Sequence, residues 1–519
     1  MRHASLALAG ADAAQTPAGE HSLEGVGKRL TVGAIWTAGG RVVSNLLGLV
    51  STLTVARLLT PADFGLVAIA TVIFAIVQGV TELSLSSALI QHKNPQQGHY
   101  DSAFTLSICR SLAIAAVLAA AAFPLAAAYH DARLVGICLM LGVTAFVSGL
   151  INPKLVVYRR RLSFHQEIYT DLINKLVGLV VAIAIAVMFH SYWALVIGAL
   201  ASQLALVVMS YFLIPYTPRF SFTHWRGLFS FSGWLALSSG LNALNYRADQ
   251  LALGAMLGSG PLGQYTVGDN LASLPVREST APISNVLFPA FARLQDDPAR
   301  VGESFLRSQR LLVAMALPIG VGFALVAGPF IDLVLGPQWT SAALVAQVLG
   351  AVFAAQAFSM PVTPLAMGLG RTRLLFVRDT VNIVVRYPLI FVGLVSGGLL
   401  GLLLARCVSG TVGIAIDMYL ARRLAGVSVT KQIRSSARPV AATLVMAAAV
   451  WAVSLHSADY PGILRLALMI PAGGLSYLVT TLILWWANGR PAGPEQQAVS
   501  LLRFVGRRAS GRRRGVSLL

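Results

Sequence analysis

Apolar stretches of about twenty residues follow one another along almost the whole chain, parted only by short turn or charge signals. Each is the length an α-helix needs to cross a hydrocarbon layer at about 1.5 Å per residue. Composition agrees: 56% of the residues are hydrophobic and 11% are charged, against about 25% charged in soluble domains. So few charges cannot cover a water-facing surface. Lipid is therefore the solvent for most of the chain, and its backbone polar groups must be satisfied inside helices.

About fourteen spans can be placed, at 31–56, 64–90, 102–128, 134–156, 168–189, 193–214, 228–256, 264–290, 309–335, 341–367, 380–396, 398–420, 439–456 and 463–487. Between the eleventh and twelfth, Gly397 and Gly398 are the only turn signal. The expected fold is an all-α polytopic membrane protein with two six-helix lobes and an added C-terminal pair. The expected division is a tail over 1–30, an N-lobe over 31–227, a C-lobe over 228–424, a basic linker with the last pair over 425–487, and a basic tail over 488–519.

Loop charges orient the bundle. With the N-terminus inside, the cytoplasmic loops hold seventeen Lys and Arg, among them Arg159, Arg160, Arg300, Arg371, Arg378 and Lys431, while the opposite loops hold only Arg57 and Arg133. That bias predicts both termini in the cytoplasm. Residues 1–30 carry Asp12, Glu20 and Glu24 after a short Ala/Leu stretch, which reads as a cytosolic tail rather than a cleavable signal. The loops leave no room for a folded extramembrane domain, so recognition must lie among the helices. The decapeptide from Ala56 to Gly65 aligns with that from Gly254 to Gly263; both start with the same polarity, which predicts parallel lobes.

Ionisable residues deep in a span are costly and face a bundle interior or a water cavity. In the first span Thr37, Arg41, Ser44, Asn45, Gly48 and Thr52 share one helical face, with Arg41 near mid-bilayer. In the eighth, Thr266, Asp269, Asn270, Ser273, Arg277, Thr280 and Ser284 recur at the same period, and Pro275 and Pro282 predict a bend. The seventh adds Asn242, Asn245 and Asp249, the eleventh Asn382 and Arg386, the twelfth Arg406 and Asp417, and the second Gln78 and Glu82. The candidate substrate-binding set is Arg41, Asn45, Arg277, Asp269, Asn270, Asn242, Asp249, Arg386 and Arg406; Glu82, Asp269 and Asp417 are candidates for ion coupling. Arg41 and Arg277 have a structural alternative, pairing with carboxylates such as Glu82 or Asp269. Asp171 and Lys175, four residues apart, can neutralise each other, and Arg110 can snorkel.

Catalytic signatures are missing: the chain has no phosphate-cradling Gly-rich loop, no H-E-x-x-H and no G-x-S-x-G. The histidines lie scattered near span ends, and Cys109, Cys138 and Cys407 sit singly in apolar runs, so neither a metal site nor a cofactor is expected. The net charge of +19 resides in loops and in the Arg503–Arg514 tail, which suits anionic lipid rather than nucleic acid.

The stretch Arg57 to Gly65, together with Asp249, Leu262-Gly263-x-Tyr265 and Phe288-Pro289, resembles bacterial polysaccharide flippases of the multidrug/oligosaccharidyl-lipid/polysaccharide exporter superfamily, over residues 28 to about 425. The resemblance implies an inner-membrane, alternating-access transporter whose cargo is undecaprenyl-pyrophosphate-linked oligosaccharide for surface or secreted polysaccharide, whether exopolysaccharide, capsule or lipopolysaccharide. It implies no enzyme activity, and membrane lipids, a polysaccharide polymerase and chain-length machinery as partners. Guanidinium forks in a cavity of lowered dielectric suit a pyrophosphate. The rivals are an ion-coupled drug or organic-cation antiporter of the same superfamily, which an acid-dominated cavity would favour, and a membrane polymerase or glycosyltransferase, which would want an extramembrane catalytic domain.

Overall fold

The computed structural model describes residues 39–40, 43–82, 85–91, 95–160, 165–223, 240, 243–247 and 249–489. Arg41, Asn242, the start of the seventh span at 228–239 and the Arg503–Arg514 tail lie outside them.

The helices run in the order α1 (Val43–Leu58), α2 (Pro61–Val80), α3 (Leu85–Gln91), α4 (Gln97–Ala128), α5 (Arg133–Gly149), α6 (Val156–Arg160), α7 (His165–Phe189), α8 (Trp193–Leu213) and α9 (helical at 243–247 and 249–257). They continue with α10 (Ser259–Leu294), α11 (Pro298–Val334), α12 (Thr340–Ala355), α13 (Val362–Gly368), α14 (Thr372–Ala425), α15 (Val429–Ser435), α16 (Ala437–His456) and α17 (Gly462–Ala487). Among the described residues there is no strand, and nine helices are long and apolar enough to cross a membrane. The protein is a multi-pass membrane protein. Large apolar side chains such as Phe212, Leu404 and Trp486 stand exposed on its outside, as lipid-facing residues do.

Local sequence sets the helix starts. Thr60 caps α2 in a reciprocal box with Asp63, with Pro61 in the first turn, an arrangement worth about 1 kcal/mol. Asp297 caps α11 ahead of Pro298, its side chain accepting from the Arg300 backbone N–H. Consecutive helices fold back as hairpins, α4 on α5, α7 on α8, α11 on α12 and α16 on α17. Gly398, at φ 55°, breaks α14 into two arms. The arms pack so closely that a Cβ on Gly401 would lie 1.8 Å from the Gly393 carbonyl oxygen, a position only glycine can fill.

At one end of the bundle α2 packs on α10. A Cβ on Gly65 would fall 1.7 Å from the Ser259 carbonyl oxygen, and one on Gly263 would fall 1.8 Å from that of Pro61. The fully buried Trp339 closes over this crossing. Its indole Nε1 donates to the Ala56 carbonyl at 2.9 Å, and its ring meets Phe64 edge-on. Arg57 donates to the Leu333 and Val334 carbonyls, and Gln338 to that of Leu59. The largest apolar cluster surrounds this lock.

Several expected boundaries are corrected. The tenth span is not continuous over 341–367: α12 ends at Ala355, a 3-10 turn covers Gln356–Phe358, and α13 starts at Val362. The freed Phe358 carbonyl accepts from the buried Gln309 Nε2 at 2.9 Å. The eleventh span starts at Thr372 rather than 380, which moves Arg378 from a loop into a helix. The fourth ends at Gly149 rather than 156, where Asn152 caps a short turn and donates to the Ser210 and Ile214 carbonyls. The eighth runs longer than 264–290.

Candidate functional site

Asp249 of α9 is 1% exposed, and one of its carboxylate oxygens receives three donors. The Tyr265 hydroxyl of α10 reaches Oδ2 at 2.8 Å, Arg386 Nη2 at 2.9 Å and Arg406 Nη1 at 2.8 Å. The two arginines come from the two arms of α14, so one carboxylate joins four helical segments. A buried carboxylate or guanidinium without its partner costs several kcal/mol, and here each is paired with good geometry. Asp269, one turn beyond Tyr265, lies within electrostatic range of Arg406, Asp249 and Arg247, while Arg247 donates to Gln250.

A cavity of about 310 Å³ opens beside this cluster. Its walls are α9, the break between α12 and α13, and both arms of α14. Irregular backbone at membrane depth is tolerated where it lines such a space. At the far wall Arg378 donates to Asp379 at 2.8 Å, to Asp417 at 3.4 Å and to Thr363 at 2.9 Å. Gly410 and Gly413 leave the second arm of α14 bare where it faces the cavity.

A second polar junction joins α1, α7 and α10. Asn45 donates to Glu278 at 2.5 Å, and Glu278 pairs with Arg277 at 3.2 Å. Ser44 donates to Asp171, which also holds Lys175 at 3.6 Å. Arg277 is 66% exposed in its side chain. Further along α2, Glu82 pairs with Arg110 at 3.5 Å, and Arg110 also reaches the Gln78 carbonyl.

Of the residues singled out from sequence, Asp249, Arg386 and Arg406 converge, with Asp269 alongside. Asn45 and Arg277 meet elsewhere through Glu278. In the structural alternative for Arg277, the carboxylate is neither Glu82 nor Asp269 but Glu278, its own chain neighbour. Asn270 is exposed. Asp417 faces the same cavity as Arg386 and Arg406, across from them. Glu278, Tyr265 as a partner of Asp249, and Arg378 were missed as site residues. Glu278 falls off the 3.6-residue stripe that drew attention to Arg277, and Arg378 stood in an assumed loop. Among the described residues no group of His, Cys, Asp and Glu could hold a metal ion.

Residues 54–344 match the family described as polysaccharide biosynthesis protein. The succinoglycan biosynthesis transport protein ExoT of Rhizobium meliloti is 25% identical over 88% of this chain and 93% of its own. The lipopolysaccharide biosynthesis protein WzxC of Escherichia coli is 25% identical over 72% and 76%. Among solved structures, the lipid II flippase MurJ in an inward closed conformation superposes with a TM-score of 0.67 at 14% identity, covering 87% of this chain and 99% of that one. An inward-facing multidrug resistance MATE family transporter reaches 0.58 at 14% identity, over 75% and 96%. The fold is that of these membrane transporters.

Proposed function

This chain belongs to the polysaccharide biosynthesis protein family, and from that premise we propose that it is a flippase. Its cargo is an undecaprenyl-pyrophosphate-linked oligosaccharide, turned by alternating access from the inner to the outer leaflet of the bacterial inner membrane. The observation that carries this reading is a polar, charge-lined cavity enclosed by membrane-spanning helices, in a bundle that the glycine crossing of α2 and α10 locks at one end. Transport through such a bundle requires the lock and the opposite end to open in turn. The relatives carry the names of succinoglycan transport and lipopolysaccharide biosynthesis, which supports a glycan cargo.

In this reading fourteen spans form an N-lobe over 31–227, a C-lobe over 228–424 and a final pair, with both termini cytoplasmic and the lock on the outer side. Reporter fusions at Arg300 and Lys431 are expected to behave as cytosolic, and a fusion at Asp131 as exported. Arg277 and Arg41 remain the proposed pyrophosphate ligands. A polymerase and chain-length proteins are the proposed partners.

An antiporter driven through several membrane carboxylates is less well supported. Asp249, Asp417, Glu82 and Glu278 each hold an arginine, and Asp171 holds Lys175. The direct test is reconstitution of the purified protein in liposomes with its lipid-linked oligosaccharide. Faster passage to the opposite leaflet than in protein-free liposomes is expected, and equal rates would refute a flippase.

A further inference from the structure

The cavity between α9, α12, α13 and α14 holds arginines, yet it carries no spare positive charge. Arg386 and Arg406 share Asp249, and Arg378 holds Asp379 and Asp417, so three guanidiniums face three carboxylates. A pyrophosphate entering here would meet the acidic oxygens of Asp379 and Asp417 and would have to take a guanidinium away from a carboxylate partner.

What the cavity does offer is hydrogen-bonding capacity of both signs. Two of its lining residues, Asn245 and Arg386, each carry a buried polar atom without a partner, Asn245 Oδ1 and Arg386 Nε. Buried polar atoms left without partners are rare and costly. One is an acceptor and the other a donor. The amides of Gln356 and Asn382 and the hydroxyl of Ser409 line the same space, and the exposed Tyr246 stands at its edge. Gly410 and Gly413 give up the volume that side chains would occupy.

A fully ionised phosphate only accepts hydrogen bonds, so it would leave the amide oxygens of the lining residues without a donor. An apolar group would serve neither the amide oxygens nor their N–H groups. A hydroxyl donates and accepts at once, and several hydroxyls on one rigid ring match several amides. The C–H face of such a ring suits an aromatic side chain. The volume, about 310 Å³, sits at the small end of ligand pockets, about 300–1,000 Å³, and has room for a sugar ring rather than a long glycan.

We propose that this cavity is a glycosyl subsite, which takes one hydroxylated sugar ring of the cargo and leaves the pyrophosphate to be held elsewhere. The assignment rests on the flippase reading and adds where the glycan is read. It makes the paired arginines a frame for the sugar-binding amides.

The test is binding by the purified full-length protein of two probes: undecaprenyl pyrophosphate, and the lipid-linked oligosaccharide extracted from the producing cells. Asn245→Ala, Asn382→Ala and Gly413→Leu are expected to weaken binding of the glycosylated carrier about tenfold, which is about 1.4 kcal/mol, with bare undecaprenyl pyrophosphate unaffected. Retained binding of bare undecaprenyl pyrophosphate by each variant serves as the folding control. Equal losses for both probes, or no loss for either, would overturn the subsite while leaving the flippase reading intact. A wild-type protein that binds the two probes equally would overturn it too. A wild-type protein that binds neither would remove the flippase reading and the subsite together.

Discussion

Gly65 and Gly263 touch backbone to backbone: a Cβ on Gly65 would lie 2.9 Å from the Gly263 nitrogen, and one on Gly263 would lie 2.8 Å from the Gly65 nitrogen. The contact is reciprocal down to its neighbours, since Gly65 faces Ser259 and Gly263 faces Pro61. A local two-fold relation between the two helix starts gives this pattern. With little hydrophobic force between helices in lipid, such close approach is what holds them.

Replacing Gly65 or Gly263 by Ala therefore cannot be absorbed by a side-chain adjustment, because the opposing atoms are backbone. Overpacking of this kind costs about 1–3 kcal/mol, and the locked end bears the cost. In a variant with Cys109, Cys138 and Cys407 replaced, a reporter cysteine at the buried Leu66 is expected to react several-fold faster with a water-soluble maleimide once Gly65→Ala is added. An unchanged labelling rate would show that this crossing does not hold the end shut.

The Asp249 cluster predicts a different phenotype. Arg406 is 7% exposed and Arg386 is nearly as buried, so Arg406→Ala leaves the carboxylate short of a partner, at about 3–5 kcal/mol. The amount of protein in the membrane should fall. Removing the acid as well, in Asp249→Ala with Arg406→Ala, should restore much of it. Normal abundance in the single variant would remove the structural role assigned to the pair.

Asp269 separates from the other coupling candidates. Glu82 holds Arg110 and Asp417 holds Arg378, whereas Asp269 makes no direct ion pair or hydrogen bond among the described residues and has only the more distant influence of Arg406, Asp249 and Arg247. Asp269 is therefore the proposed coupling carboxylate. Asp269→Asn is expected to abolish stimulation of transport by an imposed ion gradient in liposomes while keeping downhill movement. Full gradient stimulation in that variant would exclude Asp269 from coupling.

Much of this was legible in the chain. The apolar runs located most helices, and the Gly397-Gly398 signal marked the turn that Gly398 makes inside α14. The aligned decapeptides ending in Gly65 and Gly263 turned out to be in contact, although their similarity gave no distance. Periodicity failed where chemistry departs from a single helical face. Glu278 lies beside Arg277 rather than a turn away from it, and at the break over Gln356–Pro361 the polar Gln356 and Ser359 and the helix-breaking Pro361 are too few to interrupt the apolar run around them. Partner choice was the hardest part, since Asp249 lies 137 and 157 positions from its two arginines, and no local pattern records such a pairing.

Arg277 provides the sharpest contrast with the buried arginines. Its side chain is 66% exposed and, among the described residues, is tethered to the adjacent Glu278, which is itself engaged by Asn45 from α1. An exposed pair of this sort contributes little to stability, about 0–1 kcal/mol. Arg277→Ala should accordingly leave membrane abundance close to wild type, unlike Arg406→Ala. If Arg277 holds the pyrophosphate, the same variant should lose surface glycan and accumulate lipid-linked oligosaccharide in the inner leaflet. Lys should rescue in part, because it keeps the charge but lacks the planar fork that binds phosphate through two donors. Glu278→Gln sharpens the test: removing the competing carboxylate frees the guanidinium, so binding of undecaprenyl pyrophosphate to the purified protein should tighten rather than weaken. A charge that served only to pair Glu278 would give the reverse, with Glu278→Gln and Arg277→Ala both leaving export intact. Export measured beside abundance in Arg277→Ala, Arg277→Lys and Glu278→Gln therefore decides whether this arginine grips the cargo.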